Sequence, residues 1–223
     1  MSTEAIRVLL HSIEHSQLMY MLSYQDGLKY TALHWCAFNN NNEVIKAILD
    51  SVNEEECYQL LSIKDNLRWT LLHMSCFEGD TESVTVMLNH INQDMRYSLL
   101  QMTTTDGSSP LHLASYHGHA GVMKVIHKSV THTQWINLLQ MKGHNGMTVL
   151  QSAAYSNNHS CIDTIRDSVS VEVRIELLST PLPQYNKRIH NIDCYRRAGS
   201  RTDELRAAAR VKSALQTENH SGM

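Results

Sequence analysis

Apolar and polar positions repeat along this chain with a fixed step. TALHWCA at 31, TLLHMSC at 70, SPLHLAS at 109 and TVLQSAA at 148 begin 39 residues apart each time, with no gaps between them. A period of this size marks a stack of supersecondary units rather than one closed core. In each unit a leucine (Leu33, Leu72, Leu111, Leu150) is followed three and four positions later by small residues. These are Cys36 and Ala37, Ser75 and Cys76, Ala114 and Ser115, Ala153 and Ala154. That spacing predicts a short helix with one apolar face, narrow enough for a second helix to approach closely. Asn40, Gly79, Gly118 and Asn157 end it, being residue types that tolerate the left-handed conformation.

A second helix is predicted from Val44, Ile45, Ile48 and Leu49, and in later units from Val84, Met87 and Leu88, from Val122, Met123 and Ile126, and from Cys161, Ile162 and Ile165. Asn53, Asn92, Thr131 and Ser170 then recur at the same step, each after an apolar residue (Val52, Ile91, Val130, Val169). Good N-cap residues behind an apolar N′ position start a helix. A third short helix therefore begins there, and it carries the pairs Leu60-Leu61, Leu99-Leu100, Leu138-Leu139 and Leu177-Leu178, with Met21-Leu22 one step earlier.

The T-x-L-H-x-A/C signature, the Gly or Asn terminator and the apolar second helix resemble the ankyrin repeat, whose usual unit is 33 residues. The resemblance covers about residues 4–180. It implies an all-α, ankyrin-like helical repeat solenoid with an extra short helix per repeat. Residues 1–30 form a partial N-terminal repeat or cap, residues 31–180 four repeats starting near 31, 70, 109 and 148, and residues 181–223 a degenerate repeat and a basic tail. Three departures stand out: Pro110 alone occupies the proline column, Gln151 replaces the histidine of the fourth copy, and each unit has six extra residues. The extra length implies that the family's projecting hairpin tip is replaced by a helical turn and short loop.

Ala5, Ile6, Leu9 and Leu10 sit one step before Val44, Ile45, Ile48 and Leu49, so the sequence opens on the second half of a repeat. This suits either a cap or one stretch of a longer array that tethers a separate effector domain. The tail holds Lys187, Arg188, Arg196, Arg197, Arg201, Arg206, Arg210 and Lys212, scattered among acids. A solvated face, partly helical over DELRAAARVKSALQ at 203–216, is the expectation there rather than a nucleic-acid site. The formal charge of -3 offers no global field to gather nucleic acid or anionic membrane. Five cysteines at irregular gaps make no disulfide framework, and no stretch approaches the length of a bilayer span. A reducing, cytoplasmic setting and a monomer fit this composition.

His34, Trp35 and Cys36 could suggest a metal or nucleophile site. However, His34 recurs as His73 and His112, and Cys36 shares its column with Ser75, Ala114 and Ala153. A copied histidine is a structural element, and the resemblance implies that its ring bonds between neighbouring units. His112, His117 and His119 lack a second ligand cluster. The first-turn carboxylates Glu54, Glu55 and Glu56 complement a helix dipole, and Asp26-Gly27 and Asp106-Gly107 are turn signals. With no phosphate loop, serine elbow or zinc motif, the expectation is a non-enzymatic protein with no cofactor, no metal and no small-molecule substrate.

One column lacks a core explanation. Phe38, Phe77, Tyr116 and Tyr155 stand two residues before each terminator, on helices that line the concave face of ankyrin-like stacks. Exposed aromatic residues at such positions anchor protein interfaces, or else stack on one another and stiffen the solenoid. Beside them lie the variable residues Glu78 and His117, and just before each repeat head Tyr30, Trp69 and Met147. These nine residues form the expected protein-binding surface, and the partner is a protein or peptide.

Overall fold

A threonine or serine at the head of each unit decides where the chain enters helix. Thr31, Thr70, Ser109 and Thr148 adopt extended backbone, and each side-chain oxygen accepts from the backbone N–H three residues on. The residue at that third position, His34, His73, His112 or Gln151, accepts in return from the backbone N–H of the cap. Two otherwise orphaned donors per helix are thereby satisfied. The computed structural model describes residues 3–179. Among them are fourteen α-helices and no strand.

The partial first unit contributes α1 (Thr3–Ser12) and α2 (His15–Ser23). Each later unit contributes three helices. Repeat one has α3 (Ala32–Phe38), α4 (Asn42–Asp50) and α5 (Glu54–Leu61), and repeat two has α6 (Leu71–Glu78), α7 (Thr81–Asn89) and α8 (Gln93–Leu100). Repeat three has α9 (Pro110–His117), α10 (Ala120–Ser129) and α11 (His132–Gln140), and repeat four has α12 (Val149–Tyr155), α13 (His159–Arg166) and α14 (Val171–Ser179). The third helix is thus a regular part of the unit. Asn53, Asn92 and Thr131 cap it as the spacing predicts. The first helix ends in positive φ at Asn40, Gly79, Gly118 and Asn157.

Like elements stack on like. The inner row runs α3, α6, α9, α12 and the outer row α1, α4, α7, α10, α13, each helix packed on its counterpart one unit away. In the third row α2 packs on α5, α5 on α8 and α11 on α14, while Asn137 donates to the Tyr97 hydroxyl between α11 and α8. Leu72, Leu111, Leu99, Leu100, Leu138 and Leu139 are wholly buried where the rows meet. Trp135 is buried among them and donates its indole N–H to Ser168 Oγ at 2.9 Å, which satisfies its one polar atom.

The expectation that a helical turn replaces the hairpin tip is corrected. The third helix is inserted ahead of the turn and the turn itself survives. Residues 26–30, 65–69, 104–108 and 143–147 each form a tight loop whose first N–H donates to the last carbonyl, at 2.8–3.0 Å. Asp26 and Asp65 hold it by accepting from two backbone N–H groups each. The fourth residue, Lys29, Arg68, Gly107 or Gly146, has positive φ. Neighbouring turns are joined by backbone bonds from Asn66 to Leu28 and from Thr105 to Leu67. The tail expected over 181–223 lies outside the described residues.

Candidate functional site

The repeated histidine is consumed in structure. The cap N–H occupies Nδ1, which leaves the ring proton on Nε2. From there His34 donates to the Trp69 carbonyl at 3.4 Å, His73 to that of Met102 at 3.1 Å and His112 to that of Met147 at 3.0 Å. Each ring thus fastens its own helix cap to the chain leading into the next repeat. Burial depresses the basicity of all three, to about 3 for His73 and about 4 for His112, so they are neutral near pH 7. Burial likewise raises the thiols of Cys36, Cys57, Cys76 and Cys161, away from the thiolate a nucleophile needs.

The cluster at 112–119 is divided among separate tasks. His119 bonds the Phe77 carbonyl at 2.9 Å and so closes the end of α6 from the next repeat. Asn158 does the same for the Ser115 carbonyl at the end of α9, at 3.0 Å. His117 lies between, and burial, then the neighbouring His119, lowers its basicity to about 4.

Along the inner row the rings form one continuous series. Trp69 meets Phe77 with centroids 5.4 Å apart, Phe77 meets His117 at 4.3 Å, His117 meets Tyr116 at 5.1 Å, and Tyr116 stacks on Tyr155 at 6.3 Å. All five are half-buried and Glu78 is exposed beside them. Trp69 Nε1 and His117 Nε2 are buried with no hydrogen-bond partner among the described residues. Tyr30 and Phe38 belong to a separate group at repeat one, where Trp35 contacts both, at 5.5 and 6.1 Å. Met147 is corrected: its side chain is buried and its backbone carbonyl takes the His112 bond, so it offers no surface.

Two features escaped the sequence. Trp35 is exposed and donates to Asp26 Oδ2 at 3.0 Å, although its column partners Met74, Leu113 and Ser152 are core residues. Asp106 and His144 pair at 3.2 Å between the third and fourth turns. Burial opposes the Asp106 charge, but hydrogen bonds from His144, Thr104 and the Ser108 N–H outweigh it and hold the carboxyl down at about 2.

Stacked helix pairs, left-handed terminators and histidine-locked caps agree with the family comparison. A family model described as ankyrin repeats, in three copies, matches residues 51–134, and an ankyrin repeat model matches residues 28–57. The chain carries ankyrin repeats across residues 28–134. No curated protein matches it. Ankyrin repeats generally mediate protein–protein interaction. Among the described residues of this ankyrin-repeat chain, no helix is long and apolar enough to cross a membrane.

Proposed function

We propose that the chain is a non-enzymatic scaffold that binds an extended segment of a protein partner along the inner row of repeats two to four. The observation that carries this reading is the unbroken series Trp69, Phe77, His117, Tyr116 and Tyr155. Its rings are only half-buried, whereas Leu72, Leu111, Trp135 and Leu138 in the stack interior are wholly covered. Half-exposed aromatic faces supply much contact area with little side-chain entropy to lose. Ring-to-ring contact stiffens this face without filling it, so stacking and recognition are compatible. Cys57, Cys76 and Cys161 are buried and Cys36 half-buried, and all four are free thiols, which suits a reducing setting.

The test uses peptides selected from a displayed random library against the intact chain. Phe77→Ala with Tyr116→Ala is expected to weaken the selected peptides by about 2–4 kcal/mol while the helical circular dichroism is unchanged. Unaltered affinity in the double variant would remove the inner row from the interface.

A further inference from the structure

The turns that precede the repeat heads form a ridge, and its first two members differ in chemistry from its last two. At the fourth turn position Lys29 and Arg68 hold φ of 60° and 62°, where Gly107 and Gly146 stand in the later turns. A side chain in the left-handed region carries strain that glycine avoids. Two long cations are therefore kept where the backbone favours no side chain at all, and retained strain of this kind accompanies function.

The fold leaves their charge unspent. Lys29 and Arg68 are exposed, and among the described residues the ion pairs lie elsewhere. The nearby carboxylates are already engaged, since Asp26 and Asp65 each accept from two backbone N–H groups of their own turn and Asp65 is buried. Burial, then the like charge of Arg68, lowers the basicity of Lys64, so a third cation stands beside the ridge.

Apolar side chains accompany the cations. Leu28 is 56% exposed and Leu67 44%, each one residue before its cation, whereas Asp106 and Asn145 fill that position in the later turns. Leu67 and Arg68 have a turn on either side, joined by the backbone bonds from Asn66 to Leu28 and from Thr105 to Leu67. Their exposure thus belongs to the ridge and not to an end of the stack.

Stacked repeats lie roughly 8–10 Å apart, the spacing of packed helices. A peptide in the polyproline II form repeats its side-chain direction every three residues, about 9 Å, so two acids three residues apart reach Lys29 and Arg68 together. The exposed leucines favour a protein segment, whose apolar side chains can cover them, over a phosphate chain.

We propose that the first two turns are a docking site for an acidic, extended segment of a partner protein, held by Lys29 and Arg68. The site is separate from the inner row of repeats two to four, and stands or falls without it.

The test replaces the strained cations with the residue that the later turns use. Peptides selected from a displayed random library on the intact chain are counter-selected against Lys29→Gly with Arg68→Gly. Those that the variant fails to hold should carry acidic pairs three residues apart and bind it about tenfold or more weakly, with less dependence on salt. Its urea midpoint should equal or exceed that of the unaltered chain, because the strain is gone. Lys124→Ala with Lys128→Ala on α10 makes the same change in net charge and should leave these peptides bound. A lower midpoint in the glycine variant would give the two cations a structural role and overturn the proposal. A depleted pool without acidic residues overturns it too, as does an equal loss in the α10 variant, which would mean a general field. Tighter binding of an oligothymidine strand than of any selected peptide, lost in the same glycine variant, overturns it in favour of nucleic acid.

Discussion

At the residue scale, the histidine of each repeat head joins two jobs in one ring. Nδ1 completes the helix cap and Nε2 bonds the next repeat, whereas in the fourth copy Gln151 completes the cap and Thr148 Oγ1 bonds the Leu177 carbonyl. A ring used this way must stay neutral, and that sets an acid limit on stability. The unfolded chain protonates its histidines near the ordinary value of 6.5, whereas buried His73 and His112 resist until about 3 and about 4. Between those limits the unfolded state binds more protons, so their contribution is complete above about pH 6.5 and is lost as pH falls towards 4. Each adds about 1.4 kcal/mol per pH unit to the slope. Urea titrations at pH 7, 6, 5 and 4 should show the midpoint falling through this window, and His112→Gln should flatten the trend. A midpoint constant down to pH 4 would contradict neutral buried rings.

At the element scale, short helices are held by their ends more than by their length. Seven- to ten-residue helices are marginal alone, so caps, terminators and stacking carry them. Gly118 shows how tightly a terminator is bound into the stack. Its φ is +84°, and an added Cβ would lie 2.9 Å from Asn158 Oδ1, in the residue that closes the end of α9. Gly118→Ala should therefore cost about 1–3 kcal/mol from left-handed strain and a displaced Asn158. The control Gly121→Ala, in the first turn of α10 with only Thr81 Oγ1 near, should be close to neutral in the same denaturation experiment. The three-helix unit was legible because caps and apolar pairs share one step. The turns were legible only in part: Asp26-Gly27 and Asp106-Gly107 signalled two of them, but Lys29 and Arg68 stand where Gly107 and Gly146 betray positive φ, and their identity hides it. Asp26 and Asp65 make up the difference by bonding the backbone around the strained residue.

At the scale of the whole molecule, stability is a sum over neighbouring units, with no single centre. Leu111 is wholly buried on α9, which packs on both α6 and α12. Leu111→Ala should cost about 2–5 kcal/mol. It should also lower the steepness of urea unfolding, because weakening the middle unit lets the two halves open separately. A shifted but equally steep transition would mean that the stack unfolds as one block.

The sequence alone determined the step of 39, the three helices per unit, the caps and the left-handed terminators, because each depends on local chemistry repeated in register. It also singled out the aromatic column, although not its connections. Only the tertiary structure decided that His117 bridges Phe77 to Tyr116, that Met147 faces inward, and that Trp35 lies open while its column partners are core. The physical reason is that burial in a stack belongs to the position of a unit among its neighbours as much as to the residue. Identical columns are covered in the interior and bare at the end.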